Sequence, residues 1–259
     1  MASSDRDTGL LKDVYSSIVF LTRLPAPSWP DAAHRPLAPA MWAFPLAGAL
    51  VGILAGVTYG IADLVGCPPA VSAFLCIAAA IVATGGLHED GLSDLADGAW
   101  AGTSPAARLA VMSDSRIGAL GALALIVSVG ARVAAVATIA EPAFVLGAMI
   151  AAGAASRATM PVVVAFGTAA KHTGLGASAG KPDFTVWAGG IALAALIAIF
   201  AAPGGWFACL VAAAAGAVLV AWFEQRTIGG YTGDVLGAVQ QIAEILALAL
   251  IAAAVTEAG

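Results

Sequence analysis

Seven apolar stretches, each near 20 residues and separated by short breaks, leave this chain few folds. They cover about 41–64, 70–87, 118–140, 143–168, 185–202, 205–223 and 237–255. About 20 apolar residues in an α-helix match the roughly 30 Å hydrocarbon core of a bilayer. The breaks carry turn chemistry: GCPP at 66–69, EP at 141–142 and PGG at 203–205. Trp42, Trp187, Trp206 and Trp222 fall near expected span ends, where amphipathic rings favour the interface. The chain is 61% hydrophobic and 10% charged, far more apolar than a soluble domain of its length needs. Alanine and the 30 glycines let membrane helices approach closely. The expected fold is therefore an all-α, polytopic integral membrane helical bundle of about seven transmembrane helices.

The first twenty residues, MASSDRDTGLLKDVYSSIVF, lack the charged, apolar and small-residue regions of a signal peptide. The segment LLKDVYSSIVFLTRL is short and mixes Lys12 and Asp13 with apolar positions, which suits a helix lying in the interface. One transmembrane catalytic domain over 1–259 is expected. Within it, 1–40 forms a cytoplasmic or interfacial N-terminal segment and 88–117 an acidic active-site loop or helix. The three cysteines show no ligand spacing and read as small apolar helix residues. The net charge of −5 and the lack of a basic block exclude a nucleic-acid partner.

Loop charges orient the bundle. Under the seven-span count, 1–40, 88–117, 169–184 and 224–236 share one face. They carry Arg6, Lys12, Arg23, Arg35, Arg108, Arg116, Lys171, Lys181 and Arg226. The opposite loops carry no Lys or Arg. By the positive-inside rule the first set is cytoplasmic. Arg132 and Arg157 fall inside spans, where charge is costly and marks function by default.

The chain gathers carboxylates in one place. TGGLHEDGLSDLADGAWAG at 84–102 holds four acidic residues within nine positions, Glu89 to Asp97. Asp90, Asp94 and Asp97 are spaced i, i+4, i+7, one stripe on a helix. Carboxylates this close repel and need a positive partner. Mg²⁺ suits them, since it binds through a few carboxylates plus substrate phosphates. The plain alternative is a solvated acidic loop.

Three further patches share that face. MSDSRIG at 112–118 sets Asp114 beside Arg116, and arginine grips phosphate bidentately. A local ion pair is the simpler reading. RTIGGYTGD at 226–234 offers glycine-rich backbone around Gly230 to an anion and Asp234 to a metal, or is an ordinary turn. The Gly/Ser-rich loop 169–184 carries Lys171, His172 and Lys181, basic enough for an anion. His88 has three open roles: base, metal ligand or phosphate donor. Arg157 is placed to reach a substrate phosphate, and Arg132 to pair with an acid or a helix end. Together these patches describe a membrane-bound, Mg²⁺-dependent enzyme acting on a diphosphate.

The blocks FLTRLPAP (20–27), GGLHEDGLSDLADG (85–98), SDSRIGALGALAL (113–125) and GGYTGDVLGA (229–238) resemble the signature blocks of the adenosylcobinamide-GDP ribazoletransferase family, also called cobalamin synthase. They occur in that family's order and span nearly the whole chain. The resemblance implies a transferase that joins adenosylcobinamide-GDP to α-ribazole, or its 5′-phosphate, to give adenosylcobalamin, or its 5′-phosphate, and GMP. It implies Mg²⁺ as cofactor and a multi-pass protein of the cytoplasmic (inner) membrane with its active site facing the cytoplasm. The partners implied are both substrates and the lipid bilayer; a homo-oligomer is left open. The departures are Glu89 for an apolar residue, Leu95 for a threonine, and Ser113 for a lysine. VQQIAE (239–244) stands where an Asn-Glu run is usual. Glu89 is thus expected to be a bystander.

Roles follow on that resemblance. Asp90, Asp94 and Asp97 hold the metal, with Asp114 close by. His88, Asp90, Asp94 and Arg116 form the catalytic set. Arg157, Lys171, Lys181, Gly230, Asp234, Gln241 and Glu244 contact substrate. Gln241 and Glu244 are expected near the cytoplasmic end of the last helix. Two other classes compete: a CDP-alcohol-type phosphotransferase, and a cation transporter using the aspartate stripe.

Overall fold

The computed structural model of the chain describes residues 2–29, 36–171 and 179–258. Among them the order is α1 (Ala2–Leu21), a 3₁₀ helix (Ala38–Ala43), α2 (Phe44–Leu64), α3 (Pro69–Thr84), α4 (Leu87–Trp100) and α5 (Pro105–Val111). Then come α6 (Ala119–Ile139), α7 (Pro142–Phe166), α8 (Phe184–Ala201), α9 (Trp206–Thr227) and α10 (Gly233–Ala258). The described residues contain no strand; Ala169 and Tyr231 form an isolated bridge. Apolar runs in a bilayer satisfy their backbone as helices, and that is what these runs do.

Six helical segments are long and apolar enough to cross a membrane: Ala38–Leu64, Ala119–Ile139, Pro142–Phe166, Phe184–Ala201, Trp206–Thr227 and Gly233–Thr256. The expected span at 70–87 is the shorter α3, of 16 residues. It meets α4 at a 91° bend. The bend is made by Gly85 and Gly86, both left-handed at φ 66° and 71°, a conformation only glycine adopts freely. We read α3 as the seventh crossing and α4 as a helix laid across the bundle end.

Small residues set the packing. Gly48, Gly52 and Gly56 of α2 lie against the α7 backbone at Gly153, Met149 and Leu146, so closely that a Cβ at any of them would collide. Gly216 brings α9 against Ala243 of α10. Helix α7 is the central element, its alanines 148, 151, 152, 154, 155 and 158 all buried. Helices α6 and α8 are peripheral and present Ile126, Val127, Leu196 and Phe200 outward, as lipid-facing helices do. The N-terminal helix docks through Ser17 Oγ, which donates to Ala40 O at 2.8 Å. Trp42 Nε1 donates to Asp13 Oδ2 at 3.2 Å. Cys76 and Cys209 are free and buried, as small apolar residues.

Two glycine contacts fix α4 on α10. A Cβ on Gly91 would lie 2.5 Å from the carbonyl oxygen of Asp234. One on Gly237 would lie 3.1 Å from the carbonyl oxygen of His88. The glycines of the acidic segment thus serve helix packing, and through it decide which way each acid faces.

Candidate active site

Helix α4 has two polar faces. One opens on a cleft of about 640 Å³ whose lining includes Arg23, Asp90, Ser93, Asp94, Asp114 and Arg116. Asp90 is exposed and Asp94 half-buried on that wall. Burial and the charges of Asp90, Asp234 and Asp97 push the Asp94 carboxyl up to about 7, with Lys171 opposing. On the far wall Asp114 and Arg116 form an ion pair at 2.6 Å. Hydrogen bonds from Arg116 hold the Asp114 carboxyl below its usual range. The pair is exposed, so Arg116 is available to an anion at little cost.

Lys171 reaches this cleft from the loop after α7: its Nζ donates to Ser113 Oγ at 2.8 Å. The cation that the resemblance puts at 113 is therefore supplied from another part of the chain. Its neighbour His172 and the residues to 178 lie outside the described residues. Lys181 is exposed and lines neither the cleft nor the pocket beside it.

Asp97 leaves the expected metal stripe. Its two carboxylate oxygens accept from the N–H groups of Gly118 (2.7 Å) and Gly121 (2.8 Å). It caps the N-terminus of α6, where an anion satisfies unpaired donors and the helix dipole. Gly230 is also structural. A side chain there would strike Thr168 O, and next to it Tyr231 N donates to Thr168 O while Ala170 N donates to Tyr231 O, both at 2.9 Å. These bonds tie the loop before α10 to the segment after α7.

The opposite face of α4 turns into the bundle. Glu89, expected to be a bystander, accepts from Arg132 Nη2 at 3.0 Å and from Gln241 Nε2 at 3.1 Å through Oε1. Arg132 Nη1 lies 3.4 Å from Glu244 Oε1, and Arg157 Nη1 lies 3.6 Å from Glu244 Oε2. Gln240 Nε2 donates to Glu244 Oε2 at 2.6 Å, and Ser128 Oγ to Gln241 Oε1 at 2.9 Å. Two arginines and two glutamates balance around a cavity of about 10 Å³, room for about one water. Arg157, Gln241 and Glu244 do not line the cleft. They are buried and already paired, because Gln241 and Glu244 lie two to three turns inside α10 rather than at its end.

His88 is 1% exposed, and neither ring nitrogen has a hydrogen-bond partner. Burial, Arg157 and Arg132 hold its pKa well below the ordinary value. So buried, it does not line the open cleft. It lines instead a smaller, apolar pocket of about 100 Å³, together with Asp90 and Asp234. Asp234 sits in the first turn of α10, where Thr232 Oγ1 donates to its Oδ2 at 3.2 Å.

Among the described residues no three His, Cys, Asp or Glu side chains form a ready-made metal cage. Mg²⁺ does not require one, since it keeps several waters and takes one or two carboxylates plus substrate phosphates. Asp90 and Asp94 share one wall of the cleft, and burial, with the repulsion of neighbouring carboxylates, lifts Asp94 towards neutrality. That donor set fits a hard divalent cation.

Sequence reasoning missed two residues. Arg23 enters the cleft because its backbone N–H bonds Ala83 O at 2.8 Å, pinning the chain after α1 beside the Gly85 elbow. Its signals were its place in the FLTRLPAP block and among the basic residues of the cytoplasmic face. Glu89 carried a signal, an acid in place of an apolar residue, but its partner lies 43 residues away on α6.

Residues 13–252 match the family model for cobalamin-5-phosphate synthase. A Bradyrhizobium diazoefficiens protein named adenosylcobinamide-GDP ribazoletransferase is 40% identical over 95% of this chain and 94% of its own length. A Mesorhizobium japonicum protein of that name is 40% identical over 92% of both chains. One from Brucella canis is 41% identical over 93% of this chain and 96% of its own. No solved structure matches the chain.

Proposed function

We propose that this chain, which belongs to the cobalamin-5-phosphate synthase family, joins adenosylcobinamide-GDP to α-ribazole or its 5′-phosphate in the cleft over α4 and releases GMP. It is a multi-pass membrane protein and a transferase of phosphate-containing groups. The observation that carries the substrate reading is one cleft with two unpaired carboxylates, Asp90 and Asp94, on one wall and Arg23 and Arg116 on the others. Carboxylates facing arginines across about 640 Å³ suit a diphosphate, whose negative charge both a cation and guanidinium groups offset.

The reaction forms one O–P bond and breaks another. The ribose 3′-hydroxyl of α-ribazole attacks the phosphorus on the cobinamide side. The bond from that phosphorus to the bridging oxygen breaks, and GMP leaves carrying that oxygen and the electron pair. Asp90, exposed at the junction of cleft and apolar pocket, orients that hydroxyl and takes its proton. Arg116 exchanges Asp114 for a phosphate oxygen. Arg23 and Lys171 add positive charge on the leaving side. Mg²⁺, held by Asp90 and Asp94, would supply charge neutralisation on the phosphate oxygens. The basic residues of the loops on this face support a cytoplasmic orientation in the inner membrane.

The test is GMP release by purified, detergent-solubilised protein given both substrates and Mg²⁺, with EDTA and Asp94→Asn as controls. Release that needs both substrates and the metal, and drops at least a hundredfold in Asp94→Asn, supports the reading. A folded protein that releases no GMP under these conditions overturns it.

A further inference from the structure

We propose that the apolar pocket behind α4 receives the aromatic base of the nucleoside substrate, with His88, the one lining side chain able to donate a hydrogen bond, as its donor. This rests on the reading of function above and assigns the second substrate a place within it.

The pocket is about 100 Å³, walled by Phe20, Met41, Phe44, Met160, Val164 and Leu236. Phe20 and Phe44, both in the lining, stack on each other at 6.1 Å with their planes 15° apart. The pocket shares Leu87 and Asp90 with the polar cleft, so a molecule can lie in both at once. His88 lines it at 1% exposure with both ring nitrogens unpartnered. A buried polar group without a partner is costly, so its persistence points to a ligand that supplies one.

Chemistry selects among the substrate parts. The corrin ring is far larger than this space. Guanine carries several acceptors besides its donors, and a pocket whose lining has one donating side chain, beside the acceptor-only carboxylates of Asp90 and Asp234, would leave most of those acceptors unpaired. A benzimidazole-type base is flat and apolar, with one free ring nitrogen that accepts one hydrogen bond. An imidazole N–H supplies that bond. With the base seated here, its ribose emerges at Asp90, where the attacking hydroxyl is needed.

The experiment measures initial rates of GMP release while each substrate is varied in turn, on full-length protein in detergent. For His88→Leu, KM for α-ribazole rises about tenfold while KM for adenosylcobinamide-GDP stays within twofold. A nucleoside with C–H in place of the free ring nitrogen shows the same loss with wild-type protein, and no further loss with His88→Leu. Met160→Trp, which fills the pocket from another side, raises the same KM and serves if His88→Leu does not fold. Equal effects on both KM values, a change in kcat alone, or additive losses from mutation and analogue overturn the assignment. Wild-type protein that releases no GMP overturns the functional reading itself, which separates the two failures.

Discussion

Glu89 and Arg132 meet at 3.0 Å inside the bundle, while Asp90, one residue on, faces the polar cleft. Adjacent helix residues point about 100° apart, so anchoring one sets the other. The buried pair fixes the rotation of α4 and with it the direction of Asp90 and Asp94. Breaking it by Glu89→Leu leaves Arg132 with Glu244, at 3.4 Å, as its remaining acid partner. A loss of about 3 kcal/mol is expected, together with reduced kcat. Adding Arg132→Met removes the unpaired charge and restores most of the stability. Thermal unfolding of both variants in detergent checks this; a double variant no more stable than Glu89→Leu contradicts it.

Asp97 and Asp94 belong to the same stripe but are expected to fail differently. Asp97→Ala removes two charge-assisted bonds at the start of α6 and lowers stability by about 2 kcal/mol. Its Mg²⁺ dependence stays that of the wild type. Asp94→Asn keeps the fold and loses activity. Mg²⁺ titrations of GMP release separate the two; a raised metal requirement in Asp97→Ala returns that residue to the metal site.

Much of the bundle was legible because apolar length needs no knowledge of neighbours. The expected span at 143–168 is α7 (Pro142–Phe166), and the one at 118–140 is α6 (Ala119–Ile139). The acidic stripe was legible as a helix face. What was not legible depends on partners distant in sequence. Asp90 and Asp97 look alike in the string of residues, yet one opens on a cleft and the other caps a helix beginning 22 positions later. Arg157 reads as a substrate group because charge at membrane depth marks function, and Glu244 because it is expected near the cytoplasmic end of the last helix; their mutual pairing appears only once α7 and α10 are packed. The Gly85–Gly86 elbow was visible as a doublet, but the 91° bend that lays α4 across the bundle was not.

The pH dependence of Asp94 has a definite direction. Its folded value of about 7 stands above the ordinary 3.8, so the folded state keeps a proton that the unfolded chain has lost. That contribution to stability is fully present below about pH 4 and is lost as pH rises to about 7. In metal-free protein, Asp94→Asn is therefore expected to raise the unfolding temperature at pH 8 and to leave it unchanged near pH 4. Mg²⁺ added to the wild type at pH 8 shrinks that difference, since a cation favours the ionised form. A variant equally shifted at both pH values would show that the carboxyl is not strained by its neighbours.

Gly91 sits where α4 crosses the first turn of α10. A methyl group there meets the Asp234 carbonyl oxygen at 2.5 Å and its Cα at 2.9 Å, and neither can swing aside as a side chain does. Gly91→Ala must lift α4 from α10 and move Asp90 and Asp94 relative to Arg23. A displacement near 1 Å costs about a hundredfold in a positioned reaction, so kcat/KM is expected to fall by about that factor. Gly130→Ala is the matched control: it lies on α6 with nothing within 4 Å of the added carbon. Its activity is unchanged, and its stability rises by up to about 1 kcal/mol from helix propensity. Rates and unfolding temperatures of the two variants decide the point. Wild-type kcat/KM in Gly91→Ala would mean that the α4–α10 contact does not set the geometry of the carboxylates.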